Sequence, residues 1–411
     1  MTNINVLLLE NIHPVAEAAF LEAGFLVRRV NGSLKEDELI AQLDGVHLLG
    51  IRSKTNVTKR VLDAASGKGL MAVGAFCIGT NQVALDAAMR QGVCVFNAPF
   101  SNTRSVAEMV LAEIIMLSRQ LGDRNNEIHR GVWKKVAVGS YEVRGKTLGV
   151  VGYGHIGTQV SILAEFFGMR VIFYDVAAKL PLGNSQSVSS LDSLLSQADF
   201  VTLHVPETPQ TKGMMGPAQL ARMKKGASLI NASRGTVVDI EALARELTSG
   251  RLKGAAIDVY PEEPQSNEAK GFVTPLQGLP NVVLTPHIGG STEEAQEAIG
   301  HEVSASLIKY VLSGSSTGSV NMPVCELPAS EGTFRLSHLH HNVPGVLRDV
   351  NRLVGDAGAN IHAQLLSTNP DIGYLVMDLD SPVNDQVVAG LNGLPTTIRA
   401  RSVGPLRRPP T

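Results

Sequence analysis

A chain of 411 residues is too long for one ordinary hydrophobic core, so two or three domains are expected. With 44% hydrophobic and 18% charged residues it reads as globular, and a formal net charge of -2 gives no general attraction to nucleic acid or to an anionic membrane. No apolar run is long enough for a spanning helix, residues 6–9 open a strand without the basic region and apolar core of a signal peptide, and Cys77, Cys94 and Cys325 are too scattered for a metal or redox motif; a cytoplasmic protein without a metal site fits.

Up to about residue 100, short apolar runs alternate with helical stretches. Residues 6–9, 48–51, 70–73 and 93–96 read as buried strands, with helices at 14–23 and 35–43, a rhythm that argues for a parallel sheet. Residues 103–130 read as one long helix with almost no breakers. A second series follows, with strands expected at 147–151, 171–174, 200–203, 228–231, 255–257 and 282–284, enough for a complete doubly wound sheet. A further long helix is expected from about 292 to 312, and the run Ser313-Gly314-Ser315-Ser316-Thr317-Gly318-Ser319 reads as a flexible connector. The last stretch spells βαββαβ, with strands at 334–340, 360–367, 374–380 and 396–402 and helices at 344–355 and 383–391, a ferredoxin-like unit. The tail from Arg407 to Thr411 reads as frayed.

Two motifs carry chemistry. The turn Gly152-Tyr153-Gly154-His155-Ile156-Gly157 sits between a strand and a helix, and the next strand ends in Asp175. Glycine serves a tight turn at Gly152, approach of a pyrophosphate at Gly154 and helix–strand packing at Gly157, while Asp175 is spaced to hold ribose hydroxyls and to repel a 2′-phosphate, which favours NAD over NADP. Downstream, Arg234, Glu263 and His287 follow strand ends, where ligands bind in such sheets. An arginine can clamp a substrate carboxylate, a histidine can carry the proton of an alcohol, and a glutamate can orient that histidine and favour its charged form. Asp258, at another strand end, is expected to reach the nicotinamide end of the cofactor.

These motifs, with Leu203-His204-Val205-Pro206 and residues 286–291, resemble the D-isomer-specific 2-hydroxyacid dehydrogenases. The runs Phe76-Cys77-Ile78-Gly79-Thr80-Asn81-Gln82-Val83, residues 97–108 and His129-Arg130-Gly131-Val132-Trp133 narrow the resemblance to the branch that acts on 3-phosphoglycerate and ends in one short regulatory domain. The resemblance implies two Rossmann-like doubly wound lobes followed by a βαββαβ ACT domain. It places a discontinuous substrate lobe at 1–101 and 290–327, an NAD domain at 102–289 and the ACT domain at 332–411, with Gly289-Gly290 as a hinge. It implies that Arg234, Glu263 and His287 are catalytic, and that His155, Ile156, Asp175, Ala232, Ser233, Arg234, Asp258, His287, Ile288, Gly289 and Gly290 meet the cofactor along with the glycine turn. Arg52, Ser53 and Asn102 are implied as substrate contacts.

The activity implied is NAD-dependent oxidation of 3-phospho-D-glycerate to 3-phosphohydroxypyruvate, the first step of L-serine synthesis, with 2-oxoglutarate as a possible side substrate. A homotetramer is implied, with feedback by L-serine through His340, Asn342 and Asn360. His341 stands where the familiar effector loop carries an acid. The alternatives are a reductase of glycerate, hydroxypyruvate or D-lactate and, from another class, an NAD-sensing corepressor-like module.

Overall fold

A computed structural model describes residues 4–264, 270–328, 330, 332–382 and 385–403. The expected frayed tail and Val383, the first residue of an expected helix, lie outside them. The chain forms two compact units, one of Met1–Ser101 with Gln296–Thr411 and the other of Asn102–Ala295.

The first unit opens with a parallel sheet of β1 (Asn5–Leu8), β2 (Leu26–Arg29), β3 (Leu48–Ile51), β4 (Ala72–Ala75) and β5 (Cys94–Asn97), ordered β2-β1-β3-β4-β5. This is one of the two common doubly wound orders. Four strands fall within two residues of the sequence reading. The edge strand β2 escaped it, because Leu26-Val27-Arg28-Arg29 alternates between exposed and half-buried and carries no apolar run. Helices Lys59–Ala65 and Leu85–Arg90 were also too short to stand out.

The second unit holds β6 (Thr147–Val151), β7 (Arg170–Tyr174), β8 (Gln186–Ser187), β9 (Phe200–Leu203), β10 (Ser228–Asn231), β11 (Gly254–Ile257) and β12 (Val282–Leu284). All neighbours are parallel in the order β12-β11-β10-β9-β6-β7-β8. The order reverses between β6 and β9, and the carboxyl edge there is the crevice where such sheets take ligands. The expected helix over 103–130 is two helices, Thr103–Arg119 and Leu121–His129, broken where Gln120 turns left-handed at φ 53°. The first buries a full apolar face, whereas the second buries no residue. Ser118 exchanges hydrogen bonds with Tyr141, its hydroxyl donating to the Tyr141 carbonyl at 2.7 Å and its carbonyl accepting from the Tyr141 amide at 2.9 Å.

Back in the first unit, the helix Glu293–Ser313 joins the first sheet's core through Ile299, Val303 and Leu307. The segment expected to be a flexible connector is instead packed: Ser316 is fully buried, its hydroxyl donating to the Pro323 carbonyl at 2.6 Å and accepting from the Cys325 amide at 2.8 Å. Serine hydroxyls satisfy a tight turn's backbone, so a linker-like composition folds as an ordered turn. Antiparallel strands β13 (Phe334–His341), β14 (Ile361–Thr368), β15 (Ile372–Leu379) and β16 (Thr397–Val403) then pair in the order β14-β15-β13-β16. Helices Val346–Asp356 and Asp385–Asn392 cover Leu336, Leu375, Met377 and Leu379 on one face, while Leu339, Ile372, Tyr374 and Val376 on the other share the core of the first sheet. Among the described residues no helix is long and apolar enough to cross a membrane.

One buried ion pair ties this sheet to the chain entering it. Arg335 and Asp378 are 1% and 0% exposed and meet through two hydrogen bonds of 2.6 and 2.9 Å, while the same guanidinium donates to the carbonyls of Ser313 and Pro328. Arg335→Ala leaves a buried carboxylate without its counter-charge and is expected to cost about 3–5 kcal/mol, read as a lower urea midpoint. Arg335→Met combined with Asp378→Leu is expected to recover most of that loss.

Candidate active site

At the glycine turn, Gly152 has φ 89°, and a side-chain carbon there would lie 2.3 Å from the His204 carbonyl oxygen, so only glycine serves. Nothing lies within 4 Å of the corresponding position at Gly154. The helix His155–Phe166 starts beyond it without a side-chain cap, and its positive end favours an anion there. Tyr153 stacks on Phe173 with ring centroids 3.8 Å apart, and its hydroxyl meets Ser185 at 2.8 Å. Its amide donates to Asp175 at 2.8 Å, and the Ala177 amide takes the other oxygen at 2.9 Å. Open space over a glycine, a helix N-terminus and a fixed carboxylate at the end of β7 together suit the pyrophosphate and ribose of a dinucleotide.

The loops after β10, β11 and β12 bring three side chains together. Asn231 shapes the first, its amide donating to the Arg234 carbonyl at 3.0 Å while its oxygen accepts from the Ser233 amide and hydroxyl. A side-chain carbon at Gly235 would fall 1.9 Å from the Tyr260 carbonyl carbon, so the loops after β10 and β11 touch backbone to backbone. Glu263 accepts from the Tyr260 amide at 3.2 Å and, through its other oxygen, pairs with His287 Nδ1 at 2.8 Å. Nε2 of His287 has no partner among the described residues. The Glu263 hydrogen bond, opposed by burial, raises the His287 pKa above its ordinary 6.5. Burial, the largest single influence, pushes Glu263 upward, but its bond to His287, the His287 and Arg234 charges and the Tyr260 amide together hold it below the usual carboxylate range. The Arg234 charge acts on both.

Asp258 is the frame of this arrangement. It is 1% exposed, and its carboxylate accepts from the Thr285 hydroxyl at 2.6 Å, the Ile288 amide at 2.8 Å and the Gly289 amide at 2.9 Å. Its carbonyl takes the His287 amide at 2.8 Å, and His287 itself is held left-handed at φ 56°. The side chain expected to reach the nicotinamide thus also anchors the histidine loop. Tyr260, Thr285 and Asn231 also escaped the sequence reading as supporting residues; a polar residue at a strand end was the only signal available. So did Glu113, on the helix Thr103–Arg119, which is 2% exposed with neither oxygen hydrogen-bonded. Burial, with the Asp258 charge adding to it, pushes its pKa up to about 8.

Comparisons with known proteins identify the family. The family described as D-isomer specific 2-hydroxyacid dehydrogenase, NAD binding domain, matches residues 111–289, and an acetohydroxyacid synthase small subunit-like ACT domain family matches residues 336–399. The chain is 52% identical to the D-3-phosphoglycerate dehydrogenase of Dictyostelium discoideum over 398 residues and 51% identical to that of Escherichia coli K12 over 401, covering 97% of both partners in each case. The chain belongs to the D-3-phosphoglycerate dehydrogenase family. A D-lactate dehydrogenase from Aquifex aeolicus, solved with NAD and lactic acid, is similar in fold at 27% identity, with a TM-score of 0.67 over 78% of this chain and 100% of that one. Membership makes this chain an NAD-dependent oxidoreductase with an ACT domain.

For a member of this family the remaining expected site residues fall in separate places. Asn102, at the start of the second unit, packs against Gly290, and its buried carbonyl oxygen has no hydrogen-bond partner among the described residues. Arg52 and Ser53 lie in the first unit, in the loop after β3. His340 is 2% exposed on β13, its Nδ1 bonded to the His341 carbonyl, whereas Asn342 and Asn360 are exposed. On the sheet, His340 pairs with Gly373, which pairs with Thr368, whereas Ile361, next to Asn360, pairs with Leu379. The two groups expected to meet the effector therefore stand at opposite ends of the sheet, about 20 Å apart at ~3.3 Å per residue.

The Glu113 carboxyl carries a signed pH effect. From 4.5 to about 8 the folded state keeps a proton that the unfolded state releases, so this residue makes stability fall as pH rises through that window. Glu113→Gln removes the effect. The melting temperature of the variant is expected to match wild type near pH 5 and to exceed it at pH 8.5; equal melting curves at both would refute the assignment.

Proposed function

We propose that this chain oxidises 3-phospho-D-glycerate to 3-phosphohydroxypyruvate at the Arg234–Glu263–His287 site, opening L-serine synthesis. The observation that carries this reading is the His287–Glu263 pair beside Arg234, at the carboxyl edge of a dinucleotide-binding sheet. Arg234 holds the substrate carboxylate and polarises the adjoining carbon–oxygen bond. His287 Nε2 takes the hydroxyl proton, and Glu263 at Nδ1 stabilises the imidazolium that forms. NAD, held at the glycine turn and Asp175, supplies the acceptor for the hydride leaving the same carbon. In the reverse direction His287 returns the proton to the ketone, and a 2-oxo acid such as 2-oxoglutarate presents the same group for a side reaction.

We assign substrate binding to the lobe of residues 1–101 and 290–327, NAD to 102–289 and effector binding to 332–411. Arg52 and Ser53 take the substrate phosphate, with Asn102 a further contact. L-Serine is the effector in this reading, and the separation of His340 and Asn342 from Asn360 supports a pocket completed by a second copy of the chain. That accords with the homotetramer that the family resemblance implies, working in the cytoplasm. His341 in place of an acid is expected to weaken attraction for the effector's ammonium group.

Formation of NADH from 3-phosphoglycerate and NAD, coupled to remove product, tests the chemistry. His287→Ala is expected to lose about 10²–10⁴-fold in kcat. Oxidation needs neutral His287, and Glu263 raises its pKa, so the acidic limb of kcat/KM lies above pH 6.5 and moves to lower pH in Glu263→Gln. Turnover of D-lactate or glycerate but not 3-phosphoglycerate would sink the substrate reading. Added L-serine is expected to slow turnover; full activity at saturating serine, with no calorimetric binding, would remove the effector reading.

A further inference from the structure

The loop proposed to hold the substrate phosphate is itself held by a side chain that no catalytic motif contains. Glu10 follows β1 and is 7% exposed. Its backbone and that of Asn11 are left-handed, with φ 56° and 51°, and its amide is anchored to the Gly32 carbonyl at 2.9 Å. Two consecutive left-handed residues without glycine are costly and persist only where surrounding contacts enforce them. The contacts are plain: one carboxylate oxygen accepts from the amides of Arg52 at 3.2 Å and Thr55 at 2.8 Å, and the other from the Lys54 amide at 3.0 Å. From the other side, the Gln82 amide donates to the Arg52 carbonyl at 2.8 Å. Thr55, at the end of the clamped run, is fully buried. The Arg52 guanidinium has no hydrogen bond or ion pair among the described residues, so the loop's backbone is fixed while this cation stays available.

We propose that Glu10 is a positioning residue for substrate: its buried carboxylate gathers the amides of the Arg52–Thr55 loop and so aims Arg52 and Ser53 at the phosphate. This rests on the reading of that loop as the phosphate site. The second unit supports it by using the same device. There Asp258, just past β11, gathers the amides of the loop after the adjacent strand β12, which carries His287. Glu10, just past β1, does the same for the loop after its neighbour β3. A carboxylate is required because it only accepts; an amide in its place turns one oxygen into a donor facing other donors.

The test is steady-state kinetics of Glu10→Gln, Gln82→Met and Arg52→Ala on the full-length enzyme. Displacing a substrate-aiming loop by about 1 Å costs up to ~100-fold. Glu10→Gln is therefore expected to raise KM for 3-phosphoglycerate by about 10-fold or more while KM for NAD and the far-ultraviolet dichroism stay at wild-type values. Gln82→Met is expected to shift KM the same way by less, and it carries the test should Glu10→Gln fail to fold. Arg52→Ala separates the two levels. If it raises KM for 3-phosphoglycerate while Glu10→Gln and Gln82→Met do not, the positioning role is overturned and the phosphate reading stands. If Arg52→Ala leaves that KM unchanged, the phosphate reading falls and the inference with it. Equal rises in KM for both substrates in Glu10→Gln would show a general structural role and also overturn the proposal.

Discussion

A buried carboxylate that gathers the amides of the next loop is the constraint on which the active site depends. Asp258 has no solvent to satisfy it, so its oxygens must find donors inside the protein, and the donors available belong to the loop carrying His287. The result is a loop whose backbone cannot drift and a histidine held at a left-handed φ. The proton transfer proposed for His287 needs that immobility, because the imidazole must meet a hydroxyl within hydrogen-bond reach.

The same logic extends outward from the loop. Gly235 lets the loops after β10 and β11 touch, which carries Arg234 into the electrostatic range of Glu263 and His287. Glu263 is itself pinned by the Tyr260 amide, so the pair that sets the histidine's proton affinity is built on fixed backbone. Beneath them Glu113 stays protonated to about pH 8, because a second anion beside Asp258 in a dry interior would be costly. Stability is given up there at alkaline pH while the charge of Asp258 is kept single.

Much of the architecture was legible because its strands are buried on both faces. β6, β9, β10 and β11 are almost wholly buried, and such strands print continuous apolar runs on the chain. Elements without that signature were missed: β2 and β8 are exposed edges, and the break at Gln120 is a single left-handed residue between two helices. The serine-rich run 313–319 misled because composition reports solubility, while its order comes from hydroxyls bonding to backbone across a turn. Arg234, Glu263 and His287 stood out since each follows a strand end in a distinctive short run. Asp258 stands out by its place at a strand end, but nothing near it in the chain names its partners in the histidine loop.

By itself, the sequence determined the fold class, the glycine turn with its acid, the side chains proposed to react and the βαββαβ ending. Each of these follows from residues within a few positions of one another, through periodicity, backbone freedom or chemical type. Only the tertiary structure decided what holds those residues in place. The bonds from Glu10 to Thr55 and from Asp258 to Ile288 span 45 and 30 residues, and they exist because parallel pairing sets neighbouring strand ends side by side. Likewise, the placing of His340 and Asn360 at opposite ends of one sheet follows from register alone. Register is a property of paired strands, and a single strand's sequence does not contain it.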